Sequence, residues 1–312
     1  MRVFHSEAEI GPDFGPSAVT IGKFDGVHSG HRAVIDRLVT AAKDDGVVSV
    51  VVTFDRNPLE VVAPERCPDA LSSLDQKLEL LAGTGVDATL VVRFDEAFAA
   101  VPADRFVTEY LVKALRARRV FVGSDFRFGS GNAGDVAQLR ALGEAHGFTV
   151  ELIDDVVGTA GERVSSTRIR QLLAAGEVEQ AERLLGRAPM LRGLVVHGAK
   201  RGRELGFPTA NLSPQSEGLI PADGIYAGWL IDQGVRHPAA ISVGNNPTFE
   251  GVPQKQVEAH VIDETIDLYD HEVEVVFVAR IRGMTAFTGI PALIEQIADD
   301  VRVARRLLGI AG

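Results

Sequence analysis

One cysteine, Cys67, is the whole thiol content of the chain, so an intramolecular disulfide is excluded and the fold does not depend on an oxidising compartment. Positive charge is in deficit. Lys and Arg number 32 against 43 Asp and Glu, which gives a formal charge of −11 and a pI near 5.2. Such a balance opposes broad attraction to nucleic acid or anionic lipid, so neither is an expected partner and any phosphate must be held in a local pocket. No apolar run has the length of a transmembrane helix, and Glu7 and Glu9 stand where a secretory signal needs its apolar core. The expectation is therefore a cytoplasmic protein. Internal repeats and low-complexity tracts are also missing.

What is present is ordinary for a folded chain: 312 residues, 46% hydrophobic and 24% charged, enough for two domains with separate cores. In the first half, β-branched runs alternate with amphipathic stretches. Ala18 to Ile21, Val47 to Phe54, Ala88 to Val92, Arg119 to Val122 and Phe148 to Ile153 read as buried strands, with helical periodicity over Ala33 to Ala42, Asp104 to Ala117 and Asp135 to His146. This alternation predicts an α/β domain with a doubly wound parallel sheet, whose ligands collect at the carboxyl ends of the strands. Helical stretches over Ser166 to Ala175 and Val178 to Leu185 close on Gly186 and Pro189, and the domain boundary is set there: residues 1–186 and residues 187–312. Beyond it the period falls to 2, over Leu194 to His197, Tyr226 to Ile231, Ala239 to Val243, Val257 to Ile262 and Glu272 to Ile281. Short strands without intervening helices predict a small antiparallel β-barrel, and the apolar spacing of Leu293, Ile294, Ile297 and Val301 predicts a terminal helix packed on it.

The first strand runs into Gly22-Lys23-Phe24-Asp25-Gly26-Val27-His28-Ser29-Gly30-His31. Two imidazoles three residues apart share one face of an entering helical turn, where free N–H groups and the helix dipole favour an anion. A zinc pair is the alternative, and it leaves the remaining ligands unnamed. The string resembles the HxGH signature of the nucleotidyltransferase superfamily, in the longer form GxFDGxHxGH of flavin-adenylylating enzymes. Val164-Ser165-Ser166-Thr167-Arg168-Ile169-Arg170 sets hydroxyls and guanidinium groups at a helix start, a sensible clamp for phosphates, though a capping motif with solvated arginines has the same pattern. It is similar to the ISSTxIR element of that superfamily. Val52-Thr53-Phe54-Asp55 and Val122 to Gly129 also stand at strand ends and resemble the family's flavin and adenine segments. From these come Asn57, Asp125, Phe126 and Phe128 as flavin-binding candidates. Asn57 and Asp125 have a plainer alternative as turn formers.

In the barrel half, Gly198-Ala199-Lys200-Arg201-Gly202-Arg203-Glu204-Leu205-Gly206 leads into Phe207-Pro208-Thr209-Ala210-Asn211. Exposed N–H groups with Lys200, Arg201 and Arg203 suit ATP phosphates, or simply form a surface loop. The Thr209 hydroxyl and Asn211 amide oxygen are hard ligands suited to Mg²⁺. With Pro221 to Gly228, Ser242 to Phe249 and Val257-Glu258-Ala259-His260, the half is similar to riboflavin kinases. In the last string period 2 sends Val257 and Ala259 to one face and Glu258 with His260 to the other. An exposed strand glutamate is commonly just solvated, but the resemblance puts the catalytic base at Glu258.

Together the motifs identify the chain as a member of the prokaryotic bifunctional riboflavin kinase/FMN adenylyltransferase family. That resemblance implies riboflavin and ATP giving FMN at the barrel, then FMN and ATP giving FAD and pyrophosphate at the sheet, with Mg²⁺ at both. It implies His28 and His31 as catalytic residues of the second reaction. Nucleotide contacts fall to Gly22, Phe24, Asp25, Gly26, Ser165, Ser166, Thr167 and Arg168 in the first half, and to Gly198, Lys200, Arg201, Gly206, Pro208, Thr209 and Asn211 in the second. Lys23, Arg56, Asn245 and Asp270 depart from the family pattern, which commonly has Asn, Pro, Thr and Gly there. Lys23 and Arg56 bear on flavin affinity. Rival readings keep the HxGH chemistry with another acceptor, such as nicotinamide mononucleotide or phosphopantetheine, or make the chain a non-catalytic flavin carrier. The number of subunits is left open, a homo-oligomer included.

Overall fold

The computed structural model describes residues 1–153, 163–198, 202, 205–244 and 255–310. Lys200, Arg201, Arg203 and Asn245 to Phe249 lie outside the described residues. The chain forms two compact units, Met1–Ser165 and Ser166–Gly312.

The first unit runs β1 (Arg2–Phe4), β2 (Ser17–Ile21), α1 (Ser29–Asp45), β3 (Val48–Phe54), α2 (Leu74–Ala82), β4 (Ala88–Val92), a helical stretch over Ala103–Phe106 and Val107–Ala114, β5 (Ala117–Gly123), α3 (Val136–His146) and β6 (Thr149–Ile153), with shorter helical turns between. Every described strand pair is parallel, in the order β1-β4-β3-β2-β5-β6. The expected doubly wound sheet is therefore present. Alternate residues serve its two faces. Ala18, Val51 and Phe121 pack with Ile35 and Leu38 of α1, while Val19, Val50, Val52 and Val120 pack with Phe106, Leu111 and Leu139 on the other side. Burial on both faces is why these strands read as continuous apolar runs. β2 lies between β3 and β5, where the order of strands reverses, and its carboxyl end therefore opens on the crevice in which ligands of such sheets bind.

The second unit begins with α4 (Ser166–Ala175) and α5 (Val178–Leu185) and continues through β7 (Met190–Val196), β8 (Ala210–Leu212), β9 (Gly224–Asp232), β10 (Val235–Gly244), β11 (Gln256–Val261) and β12 (Glu272–Arg282) to α6 (Ile290–Leu308). The strands close as an antiparallel barrel in the order β10-β11-β8-β7-β12-β9. Inside it Tyr226 meets Phe277 edge to face, with ring centroids 5.4 Å apart. Outside, Trp229 of β9 stacks under the Arg236 guanidinium of β10 at 4.5 Å. Arg282 grips the buried Asp300 of α6 through two bonds of 2.8 and 2.6 Å, which fixes the terminal helix on the barrel. Helices α4 and α5 are tied to the barrel as well: the Arg280 guanidinium donates to Ala175 O over 2.9 Å, the Arg280 N–H to Glu179 Oε1 over 3.1 Å, and the Ala222 N–H to Leu173 O over 2.8 Å. Among the described residues no helix is long and apolar enough to cross a membrane.

Candidate active sites

At the end of β2 the chain turns through Phe24 and Val27, both at positive φ, 49° and 37°, and both buried. Backbone strain of this kind at non-glycine residues is tolerated only where the surroundings over-determine it. Here the surroundings are the segment preceding α2: Asp25 Oδ1 accepts the Leu71 N–H over 2.9 Å, and the Gly26 N–H donates to Ser72 Oγ over 3.2 Å. The turn delivers His28 to the N-cap of α1, where its Nδ1 accepts the His31 N–H over 3.3 Å. The two rings stack with centroids 3.6 Å apart and planes 13° apart, and Phe24 tilts against His31 at 5.1 Å. Gly30 lies close against them: a Cβ there would sit 3.2 Å from the His28 ring, tighter than ordinary contact, so the ring would have to shift.

His28 is 5% exposed. Burial, and next the neighbouring His28, Lys23 and Lys77, push the His31 imidazole well below its usual range, so it is neutral near pH 7. Its Nδ1 is buried with no partner among the described residues. Imidazoles at a helix N-terminus offer N–H donors for charge that develops on phosphate oxygens. Zinc is a poor fit, since among the described residues no group of three His, Cys, Asp or Glu is placed to hold a metal.

A cavity of about 340 Å³ lies beside this turn, lined by Asp25, Asp55, Asn57, Glu60, Ser72 and Lys77 among others. Asn57 forms part of its wall and also shapes a turn, as Oδ1 accepts the Leu59 N–H over 3.2 Å. Arg56 folds onto Asp55 at 3.3 Å. Asp125 is exposed and faces Arg163 at 3.3 Å. Phe126 and Phe128 stack at 5.5 Å, and Phe128 continues into the core against Phe106. Ser166, Thr167 and Arg168 open α4, in the second unit, while Ser165 ends the first.

In the barrel the register of β8 on β11 sets Asn211 opposite Glu258. The Thr209 hydroxyl donates to Glu258 Oε2 over 3.2 Å, and Asn211 Nδ2 lies 3.3 Å from the Thr209 hydroxyl oxygen. Glu258 and His260 alternate with buried Val257 and Ala259, as period 2 requires. His260 is held in place by donating from Nδ1 to Pro208 O over 2.8 Å, which fixes its tautomer. A Cβ at Gly198 would come within 2.4 Å of Asn211 Oδ1, so the glycine leaves the space that this amide occupies. The Thr209 hydroxyl and the Glu258 carboxylate are hard oxygens of the kind a small divalent cation takes, while Asn211 turns its amide nitrogen toward Thr209 and its oxygen toward Gly198.

On the other wall of this site the sequence reading named only Glu264 and Asp267, as alternatives to Glu258 for the base, and assigned no ligand contact. A cavity of about 280 Å³ is lined by Gly198, Thr209 and Asn211 on one side and by the segment from Glu264 to Tyr269 on the other. The Tyr269 ring lies 4.0 Å from that of His197. Lys77 was missed too. The Ser73/Gln76 capping box that starts its helix was a readable signal, but nothing in a helical period marks a lysine as buried.

The FAD synthetase family matches residues 12–168 and the riboflavin kinase family residues 185–308. A bifunctional riboflavin kinase/FMN adenylyltransferase of Escherichia coli strain K12 is 40% identical over 293 residues, covering 94% of this chain and 93% of its own. The protein of that description from Pseudomonas fluorescens is 38% identical over 307 residues, 98% of each chain. Among solved structures, one from Streptococcus pneumoniae described as a macrolide-efflux protein superposes with a TM-score of 0.86 at 32% identity, covering 97% of this chain and 98% of that one. That description stays with that protein; what is shared is the two-unit architecture over its full length. With both family matches in one chain and relatives aligned from end to end, the chain belongs to the bifunctional riboflavin kinase/FMN adenylyltransferase family.

Proposed function

We propose that the chain converts riboflavin and ATP to FMN and ADP in the barrel, and FMN and ATP to FAD and pyrophosphate at the sheet. The observation that carries this reading is the Thr209, Asn211 and Glu258 constellation, because an HxGH enzyme with another acceptor has no use for it and a flavin carrier has no need of a base.

In the first reaction Glu258 takes the proton of the terminal ribityl hydroxyl as that oxygen bonds to the γ-phosphorus and the bond to the β-bridging oxygen breaks. Thr209 donates to one carboxylate oxygen and thereby orients the other toward the hydroxyl. Thr209 and Asn211 are the residues that would hold Mg²⁺, which when bound neutralises charge on the phosphate oxygens. Gly198, Lys200, Arg201, Gly206 and Pro208 are assigned to the nucleotide on the family's pattern. The cavity wall from Glu264 to Tyr269 supplies an aromatic face for the adenine.

In the second reaction an FMN phosphate oxygen attacks the α-phosphorus of ATP and pyrophosphate leaves. The phosphate is already a nucleophile, so no base is needed, and catalysis consists of positioning and charge stabilisation by His28 and His31. Ser165, Ser166, Thr167 and Arg168 are assigned to the phosphates of ATP, Gly22, Phe24, Asp25 and Gly26 to its approach, and Asn57, Asp125, Phe126 and Phe128 to the flavin. The catalytic boundary is set at 186/187 and the compartment is the cytoplasm.

Incubation with riboflavin, ATP and Mg²⁺, followed by separation of the flavins, tests the whole scheme. Successive appearance of FMN and FAD is the expected result. FAD from supplied FMN with no FMN from riboflavin would leave only the nucleotidyltransferase half.

A further inference from the structure

Lys77 sits in the second turn of α2, 8% exposed, beneath two loops that leave neighbouring strands of the sheet. Its ammonium donates to Phe54 O, the last carbonyl of β3, over 2.7 Å, and reaches Lys23 O, just past β2, at 3.4 Å. The Thr53 hydroxyl donates to the same Lys23 carbonyl over 3.1 Å, so the two strand ends are joined at one point. From that point one loop continues to His28 and His31 and the other to Asp55 and Asn57.

A buried ammonium is a costly way to join two loops. Burial draws Lys77 down from the usual lysine range to about 8, against the attraction of Asp25 and then Asp55. An apolar side chain would pack against α2 without that cost. What the ammonium adds is a fixed spacing between two carbonyl oxygens that the parallel ladder leaves over at its carboxyl edge. Lys77 also forms part of the wall of the cavity of about 340 Å³, together with Asp25, Asp55 and Asn57. The charge thus lies between the histidine turn and the acceptor side, where no core-packing demand calls for it.

We propose that Lys77 is a positioning residue for adenylyl transfer, holding the histidine turn and the Asp55–Asn57 loop at the separation the reaction needs. The inference rests on the adenylylation reading above. Misplacement of reacting groups by about 1 Å costs roughly 10²-fold in rate. Lys77→Ala in the full chain should therefore lower kcat for FMN to FAD by about 10² at saturating ATP and FMN, while riboflavin is phosphorylated at the wild-type rate in the same sample. Because the lost ammonium leaves a space next to a cavity, added ethylammonium should restore much of the Lys77→Ala rate. Lys77→Met fills that space without a donor, so it should be as slow as Lys77→Ala and show no such recovery.

Wild-type FAD formation by Lys77→Ala overturns the assignment and leaves the adenylylation reading standing. Loss that ethylammonium does not restore, or loss of both activities together, makes Lys77 a folding residue and also overturns it. A wild-type chain that forms no FAD removes the reading itself, and the inference with it.

Discussion

The hydroxyl of Thr209 donates to the carboxylate of Glu258 over 3.2 Å, from the entry of β8 to the middle of β11. Residues assigned to opposite tasks, one toward the cation and one toward the flavin hydroxyl, are therefore in direct contact. A change at one is felt at the other, and only a substitution that keeps shape and hydrogen bonding can separate them.

Glu258→Gln is that substitution. It preserves size and can still accept from Thr209, but it takes up no proton, so FMN formation should fall by about 10² or more. FMN supplied from outside should still become FAD. Near wild-type kinase turnover, measured where chemistry limits the rate, would remove Glu258 as the base and turn attention to Asp263, Glu264 and Asp267.

His28 holds two roles that substitution can pull apart. As N-cap of α1 it accepts the His31 N–H, and His28→Ala should cost about 1 kcal/mol of stability through the lost cap. His28→Asn supplies a good capping oxygen in its place. Both variants should lose adenylylation by roughly 10² to 10³, with kinase activity unchanged. An Asn variant with full adenylylation would mean that His28 serves the helix alone.

The depressed His31 gives a signed pH dependence. Its folded value lies below 6.5 while the unfolded chain titrates near 6.5, so in that window the unfolded state binds more protons and stability rises with pH. The contribution is complete above about 6.5 and is lost progressively as the solution is acidified below it. Calorimetric melting of wild type and His31→Asn from pH 7.5 down to pH 5 should show a smaller acid loss in the variant. Parallel curves would mean that His31 is not buried neutral.

A cut at residue 187 tests the proposed boundary. The fragment from Arg187 to Gly312 should convert riboflavin to FMN. A fragment from Ser166 should do the same and melt at a higher temperature, since it keeps Ala175 O and Glu179, the partners of Arg280. Kinase activity in the longer fragment only, with the shorter one folded, would move the boundary upstream of α4.

The strands of the sheet were legible because burial on two faces leaves unbroken apolar runs, and those of the barrel because one buried face leaves an alternation. The histidine turn was legible because two imidazoles and Gly30 fall within four residues directly after a buried strand. β1 and β8, of three residues each, are too short to show a period. β8 also coincides with the motif that carries Thr209 and Asn211. Burial of Lys77 comes from carbonyls 23 and 54 residues away in the chain, and no local pattern reports that. The family's preference for glycine at the position of Asp270 acquires a reason only in the structure. Its φ is +62°, a left-handed conformation that glycine, the commoner residue there, adopts without strain.

Trp229, stacked under Arg236 on the outside of the barrel, is the chain's one tryptophan. Indole emission is thus an address label for one half of a two-reaction chain. Unfolding around Trp229, when read in that emission, is reported from the kinase half, and the adenylylating half contributes no indole of its own. The chain thus carries its own optical report on the folding of one half, with no dye attached.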